Sequence, residues 1–297
     1  MKKKCVLFTG SGTALVTPFT QDGIDWDAFG QLIDWQLASG TDALVVCGTT
    51  GEPSTMTDEE KRDAIAFAVA RAAGRVPVIA GTGGNDTRRV IAACQQAEAL
   101  GADALLVVTP YYNKTTQAGL IAHFTAVADA TALPVVIYNV PARTGLNMTA
   151  ATLSALADHP RIAAMKEASG NIEQITDMFR LCHDRIAIYS GNDDHIVPFL
   201  GLGGEGVISV LANVCPQETH DMVAAFHAGD LPASRALQFR LHPLVQALFC
   251  EVNPIPVKAA LNLMGRGAGP TRLPLVPLQP ASHDRLTQAM RALGLIG

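Results

Sequence analysis

Of the seven lysines in the chain, Lys166 has the setting that best suits covalent chemistry. The others lie in the N-terminal tail, in charged or loop segments or near the C-terminus, whereas Lys166 ends an apolar, strand-like segment. Strand alternation predicts that Ile162, Ala164 and Lys166 share one face, and the small alanine leaves room for the lysine. A lysine removed from water has a lowered pKa, and its neutral amine can attack a ketone carbonyl. The alternative is a lysine that reaches solvent or pairs with Glu167.

Tyr138 and two threonines hold similar positions at the ends of other strand-like segments. Tyr138 alternates with Val136, so its phenol is expected inside the sheet, where it can shuttle the protons that imine formation requires. An aromatic ring that only fills the interior is the alternative. Thr49 and Thr50 lie in a turn flanked by glycines. Their hydroxyl and backbone N–H groups can hold a small carboxylate, although threonines that cap an ordinary turn have the same pattern.

Arg143 follows Pro141 in a loop after the segment that ends at Tyr138. Its guanidinium suits bidentate binding of a second carboxylate, and a plain surface arginine is the alternative. Asp193 and Asp194 follow a later strand-like segment. We interpret this acidic pair as a solvated helix start and not as a metal site.

The motifs predict neither a cofactor nor a metal. Residues 201–206 fit the G-x-G-x-x-G dinucleotide pattern, but they precede a strand-like segment instead of opening a helix after one. A phosphate loop beside the eighth strand is an alternative that the absence of a nearby lysine or arginine disfavours. The eight histidines are scattered without H-x-H or H-E-x-x-H spacing, so a zinc site is not expected.

The elements that must position these residues are short apolar segments that recur at roughly the length of a βα unit, about 20–35 residues. Eight are predicted as strands: residues 14–17, 43–47, 76–80, 104–108, 135–138, 162–166, 186–190 and 206–210. Amphipathic helical patterns fall between them, which indicates a parallel sheet covered by helices. Eight such units favour an α/β fold of the (β/α)8 TIM-barrel type, in which active-site residues lie at the C-terminal ends of the strands.

After residue 230 the alternation stops. Residues 231–250, 255–265 and 283–295 are predicted as helices with no strands between them. We therefore predict a (β/α)8 barrel catalytic domain over residues 1–230 and a small C-terminal helical domain over residues 231–297.

Composition limits the class of protein further. The formal net charge is −5 and no basic stripe is present, so nucleic acid is not an expected partner. The apolar run after the basic residues 1–4 is too short for a signal peptide, and nothing predicts a membrane span. A cytoplasmic protein is expected. The six cysteines are widely spaced without a C-x-x-C motif and are predicted to be buried free thiols.

Five segments, in this order and at these spacings, resemble the dihydrodipicolinate synthase family of the pyruvate aldolase / N-acetylneuraminate lyase superfamily. They are Gly-Thr-Thr-Gly-Glu at 48–52, Tyr-Asn-Val-Pro-Ala-Arg-Thr-Gly at 138–145, Lys-Glu-Ala-Ser-Gly at 166–170, Gly-Val-Ile-Ser-Val at 206–210 and Asn-Pro-Ile-Pro-Val-Lys at 253–258. The resemblance runs from about residue 9 to the C-terminus. It implies that Lys166 forms a Schiff base with pyruvate and that the resulting enamine attacks L-aspartate 4-semialdehyde. The product would be 4-hydroxy-tetrahydrodipicolinate, which enters the diaminopimelate route to lysine.

The resemblance also implies roles for individual residues. Thr49 and Thr50 match positions that hold the pyruvate carboxylate, and Arg143 matches the residue that binds the semialdehyde carboxylate. Thr50, Tyr138 and Tyr112 match a proton relay. In the family Tyr112 enters from the neighbouring subunit, so a homotetramer built as a dimer of dimers is implied.

Two further positions complete the implied pocket: Gly191 lines it, and the backbone carbonyl of Ile208 lies near bound pyruvate. Other members of the superfamily, such as N-acetylneuraminate lyase and keto-deoxy-sugar aldolases, share the lysine and tyrosine but act on long polyols. Arg143, together with the threonine pair, favours a short acidic aldehyde over these substrates. A barrel that has lost catalysis and only binds a keto acid is a further hypothesis, which the presence of Lys166 and both tyrosines disfavours.

A second implied pocket, which binds lysine in feedback-inhibited members, is altered. Asn85 and Tyr111 match it. Inhibited members often carry histidines where this chain has Asp58 and Lys61, and an acid where it has Arg89. Because an arginine repels the ammonium group of a lysine ligand, we predict weak or absent inhibition by lysine.

Overall fold

Residues 4–297 are described by a computed structural model, in which eight parallel strands close into one barrel. The strands are β1 (Gly10–Ala14), β2 (Ala43–Val46), β3 (Val78–Gly81), β4 (Ala104–Val108), β5 (Val135–Asn139), β6 (Ile162–Glu167), β7 (Ala187–Ser190) and β8 (Gly206–Ser209). Each strand pairs with the next, and β8 pairs with β1 to close the sheet. The predicted (β/α)8 barrel is confirmed.

The first strand is the one whose predicted position is wrong. The sequence predicts it at residues 14–17, but β1 spans Gly10–Ala14 and consists of glycine, serine, threonine and alanine. The crowding inside the barrel requires small residues there, since a Cβ on Gly12 would lie 2.8 Å from the ring of Phe8. This requirement comes from a tertiary contact and outweighs strand propensity, so the apolar pattern placed the strand too late.

An irregularity in β6 changes the face on which one residue lies. Val135 pairs with Ile162, but Val136 pairs with Ala164, so β6 contains one extra residue at this point. Such a β-bulge reverses the alternation locally. Ile162 therefore packs outside the barrel against the helices, whereas Ala164 lies inside it. The prediction that Ile162 shares the face of Lys166 is wrong, because sequence periodicity does not reveal the bulge.

Helices connect the strands and cover the outside of the barrel. They are α1 (Trp26–Ala38), α2 (Asp58–Ala72), α3 (Thr87–Ala99), α4 (Gln117–Asp129), α5 (Pro141–Thr144), α6 (Ala150–Leu156), α7 (Ile172–Cys182), α8 (Ile196–Gly201), α9 (Pro216–His227), α10 (Leu231–Leu248), α11 (Ile255–Leu263) and α12 (Pro280–Ala292). A capping box fixes the start of α2, where Thr57 and Glu60 exchange side-chain-to-backbone hydrogen bonds.

An aromatic pair closes one end of the barrel interior. Phe8 and Tyr189 stack with their ring centroids 4.4 Å apart, and the Tyr189 hydroxyl donates to the Phe8 carbonyl at 2.7 Å. Because Phe8 precedes β1, this pair lies toward the N-terminal ends of the strands. The polar residues that follow the strands are left at the opposite end, where active sites of such barrels lie.

Helices α10, α11 and α12 follow the barrel, in agreement with the helices predicted after residue 230. Their apolar side chains join those of α8, β8 and α9 in one hydrophobic cluster, which includes Leu241, Leu261 and Leu286. The division into two domains at this point stays a prediction.

Between residues 4 and 297, no helix combines the length and the hydropathy needed to cross a bilayer. All six cysteines fall within this range and have free thiols, as predicted. Four of them are buried, whereas the prediction of burial is wrong for the exposed Cys5 and the half-buried Cys250. Most of the basic start of the chain, residues 1–3, lies outside the described residues.

Candidate active site

Lys166 and Tyr138 lie side by side at the C-terminal ends of β6 and β5. The two strands pair them directly in register, and Lys166 Nζ lies 4.4 Å from the centroid of the Tyr138 ring. Only 5% of Lys166 and 6% of Tyr138 is exposed. Glu167 is engaged elsewhere, since its carboxylate accepts from Asn139 Nδ2 at 3.0 Å and from the backbone N–H of Ser169 at 2.7 Å. The alternative of a Lys166–Glu167 ion pair is therefore not realised among the described residues.

The surroundings of Lys166 favour its neutral form. Burial lowers its pKa from the usual 10.5 to about 8, the charge of Asp193 opposes this shift, and the charge of Arg143 adds to it. A shift of this size increases the neutral fraction at pH 7 roughly 300-fold. Burial also raises the pKa of Tyr138, an effect that Arg143 and a hydrogen bond with Thr49 partly offset. At neutral pH the site thus combines a protonated phenol with a partly neutral amine.

The turn after β2 gives the two threonines different surroundings. Thr49 lines the same cavity as Tyr138 and partly offsets the rise in the pKa of its phenol. Thr50 is 2% exposed, and its Oγ1 accepts a hydrogen bond from Asn253 Nδ2 at 3.0 Å. Thr49 is thus the threonine nearer the phenol, while the relay role that the resemblance implies for Thr50 stays a prediction. The direction of each side chain depends on the tight backbone turn Thr49–Gly51, which periodicity does not predict.

Arg143 reaches the same region from the single turn of α5. Its Nη2 donates to the backbone carbonyl of Asn253 at 3.2 Å. Arg143, Thr49 and Tyr138 line a cavity of about 440 Å³. A cavity of this size, with a guanidinium, a hydroxyl and a phenol converging on it, suits a small acidic substrate.

Gly191 follows β7, the neighbour of β6, and lies against Lys166, whereas Ile208 lies on β8. A Cβ on Gly191 would lie 3.1 Å from Lys166 Cε and 2.8 Å from the Cβ of Ala168, so a side chain there would displace the lysine. Ile208 is fully buried and belongs to the inner core together with Tyr138. The roles that the resemblance implies for Gly191 and Ile208 in the pyruvate pocket stay predictions.

Asp193 belongs to this site, and its interpretation as part of a solvated helix start is wrong. It is 2% exposed. Its carboxylate accepts from Ser209 Oγ at 2.6 Å and from the backbone N–H groups of Val210 and Leu211 at 3.1 and 2.9 Å. These bonds tie the end of β7 to the end of β8. A signal was available, because Asp193 follows a predicted strand at the catalytic end of the barrel.

The chain does not bring its own Tyr112 to the other predicted residues. Tyr112 lies in the loop after β4, is 90% exposed and has a left-handed backbone with φ of 68°. The preceding residue, Tyr111, lines the 440 Å³ cavity instead.

A second cavity of about 560 Å³ adjoins the first and is surrounded by α2, α3 and the start of the loop after β4. It is lined by all the residues that the sequence assigns to the lysine pocket: Asp58, Lys61, Asn85, Arg89 and Tyr111. Lys61 Nζ contacts Asp58 at 2.7 Å. Arg89 is 90% exposed in its side chain and lies 4.0 Å from Asp86.

Comparison with known proteins relates nearly the whole chain to one group. Residues 7–293 match the model of the "Dihydrodipicolinate synthetase family". A 4-hydroxy-tetrahydrodipicolinate synthase from Clostridium perfringens (strain 13 / Type A) is 52% identical over 290 residues, which cover 98% of this chain and 100% of the relative. Among solved structures, dihydrodipicolinate synthase from Thermotoga maritima has 42% identity and a TM-score of 0.96, covering 98% of this chain and 100% of its own. The chloride-inhibited enzyme from Acinetobacter baumannii, complexed with pyruvate, has 41% identity and a TM-score of 0.94 at 97% and 99% coverage.

Proposed function

The chain belongs to the dihydrodipicolinate synthetase family, and on this basis we propose that it condenses pyruvate with L-aspartate 4-semialdehyde to 4-hydroxy-tetrahydrodipicolinate. It acts as a Schiff-base-forming lyase in the diaminopimelate route to lysine. The observation that carries the proposal is a buried lysine, Lys166, whose amine has a pKa of about 8 and lies against Tyr138 at the catalytic end of a (β/α)8 barrel. The pyruvate complex of the Acinetobacter baumannii relative supports the first substrate.

Lys166 is the proposed nucleophile. Its neutral amine attacks the ketone carbon of pyruvate, the carbinolamine loses water to form an imine, and loss of a methyl proton gives an enamine. Tyr138 donates the proton that leaves with the water, and the Thr49 hydroxyl passes protons to and from the phenol. The enamine carbon then attacks the aldehyde of the semialdehyde, whose oxygen takes up a proton. Cyclisation of the adduct, in which the substrate amine replaces that of Lys166, returns the free lysine.

The two carboxylates of the substrates have separate proposed anchors. Thr50 and the backbone N–H groups of its turn hold the pyruvate carboxylate, while Arg143 holds that of the semialdehyde. Gly191 lines the pyruvate pocket beside Lys166, and the backbone carbonyl of Ile208 lies near the bound pyruvate. Fixing both reactants in line accounts for a large part of the rate gain, because it removes the entropy cost of bringing them together.

We further propose a homotetramer, a dimer of dimers, in which Tyr112 completes the relay in the neighbouring subunit. A tyrosine that is 90% exposed in its own protomer supports this proposal, since an interface would cover it.

The choice of aldehyde is tested by comparing L-aspartate 4-semialdehyde with neutral sugar aldehydes in the presence of pyruvate. We expect kcat/KM to favour the semialdehyde roughly tenfold to a hundredfold, since a neutral sugar aldehyde has no carboxylate to pair with the guanidinium of Arg143. Arg143→Lys should reduce this preference, and Lys166→Ala serves as the inactive control. Faster turnover of a sugar aldehyde by the wild-type protein would instead identify a different pyruvate aldolase.

A further inference from the structure

The segment Asn-Pro-Ile-Pro-Val-Lys at 253–258 has no role in the mechanism above, yet it contacts the active-site turn. Asn253 lies between α10 and α11 and is 5% exposed. Its side-chain Nδ2 donates to Thr50 Oγ1 at 3.0 Å across 203 positions of sequence, and this bond is buried. The C-terminal helices therefore reach the site at the hydroxyl proposed to bind pyruvate.

The direction of this hydrogen bond determines what Thr50 can offer a ligand. A threonine hydroxyl has one hydrogen to donate, while its oxygen can accept. When the Asn253 amide donates to that oxygen, the hydrogen remains free for another acceptor. An ionised carboxylate only accepts hydrogen bonds, so it is a suitable partner for the free O–H.

The backbone carbonyl and the side-chain oxygen of Asn253 also indicate a role in the site. Its backbone carbonyl accepts from Arg143 Nη2 at 3.2 Å, so a single residue contacts both proposed carboxylate anchors. Within residues 4–297, its side-chain Oδ1 is buried without a hydrogen-bond partner. A buried carbonyl oxygen without a hydrogen-bond partner lowers the stability of the fold. A residue with such an atom is better explained by a role in the site than by packing alone.

A second contact from the same segment fixes the other end of the turn. Lys258 Nζ donates to Glu52 Oε1 at 2.8 Å, to the Thr17 carbonyl at 2.9 Å and to the Pro270 carbonyl at 2.7 Å. The side chains of Lys258 and Glu52 are 2% and 1% exposed. Glu52 itself has a left-handed backbone, with φ of 57°. The backbone of the turn is thus held by an ion pair, while the Thr50 hydroxyl is held by the amide.

We propose that Asn253 is a positioning residue for pyruvate binding: its side-chain amide orients the Thr50 hydroxyl so that this group donates to the substrate carboxylate. The inference rests on the proposed function, in which Thr50 holds that carboxylate. Asn253 contacts no reacting atom and acts through Thr50.

Steady-state kinetics of Asn253→Ala and Asn253→Asp test the proposal. With the Asn253 side chain removed, we expect KM for pyruvate to rise roughly tenfold while kcat changes much less. Asn253→Asp keeps the volume but can only accept when ionised, so it should take the Thr50 hydrogen for itself and raise KM by more than alanine does. If the alanine variant does not fold, the aspartate variant still supplies the comparison.

Asn262→Ala is the matched control. Asn262 lies on α11 and exchanges hydrogen bonds with the backbone of Gly269, away from the turn. It should lower Tm without changing KM for pyruvate. An equal rise in KM for Asn262→Ala and Asn253→Ala would overturn the proposal, since general loosening of the C-terminal helices would then explain both.

A double-mutant cycle with Thr50→Val separates positioning from structural support. Once the Thr50 hydroxyl is absent, Asn253→Ala should produce no further rise in KM for pyruvate. The same fold-change in both backgrounds would contradict the proposal. If the wild-type protein turns over pyruvate and the semialdehyde but KM is unchanged in both Asn253 variants, this inference fails and the proposed function stands. An inactive wild type would overturn the function itself.

Discussion

The protonation state of Lys166 sets the rate of the first chemical step. Only the neutral amine attacks a carbonyl, and burial brings the pKa of this amine down to about 8. We expect the rate of adduct formation at low pyruvate to rise about tenfold per pH unit below that value and to level off above it. Rapid quenching with borohydride between pH 6 and 9.5 measures this rate. Because pyruvate is ionised throughout, a rate that does not vary over this range would contradict the account.

Asp193 opposes the lowering of the lysine pKa, because its negative charge favours the ammonium form. Replacing it in Asp193→Asn should therefore lower the pKa of Lys166 and move the rising limb of the pH profile to lower pH. The adjacent Asp194 is partly exposed, with 45% of its side chain accessible, and is not among the charges that shift the pKa of Lys166 within residues 4–297. Asp194→Asn is accordingly the control and should leave the limb in place. Equal shifts in the two variants, or a shift to higher pH in Asp193→Asn, would exclude this role.

At the scale of elements, strand ends could be predicted and turns could not. Apolar segments located β2 to β8 to within two residues and so placed Lys166, Tyr138 and Arg143 at one end of the barrel. The bulge in β6 and the position of β1 depend on how the sheet closes, which local pattern does not contain. For the same reason, local pattern does not predict the different surroundings of Thr49 and Thr50. The hydrogen-bond partner of Thr50 is Asn253, which lies 203 positions later in the sequence.

Helices α2 and α3 frame the second cavity and bear on feedback by lysine. Arg89 of α3 lines it, and its charge repels the ammonium group of a lysine ligand. We expect about 10 mM lysine to leave activity nearly unchanged, and Arg89→Glu to increase whatever inhibition is present. Arg88→Glu changes the neighbouring charge outside the lining of the cavity and should have less effect. Strong inhibition of the wild-type protein by lysine would show that the prediction is wrong.

At the scale of the whole molecule, the exposed Tyr112 predicts that sites are shared between subunits. Lys166→Ala and Tyr112→Phe should each be strongly impaired alone. After mixing and subunit exchange, half of the dimers are mixed and one of their two sites is complete, so roughly a quarter of wild-type activity should return. Steady-state assays before and after mixing measure the recovery. If activity stays at the average of the two single variants, Tyr112 acts within its own subunit or not at all.

The central claim, that Lys166 carries pyruvate as an imine, is tested most directly by borohydride reduction followed by mass spectrometry. Reduction converts the imine into a stable secondary amine, which leaves the three-carbon acid attached to the lysine. We expect one pyruvate adduct per chain, located by peptide mapping on Lys166 and absent when borohydride is added without pyruvate. An unmodified Lys166, or an adduct on another residue such as Lys61 or Lys258, would contradict the account.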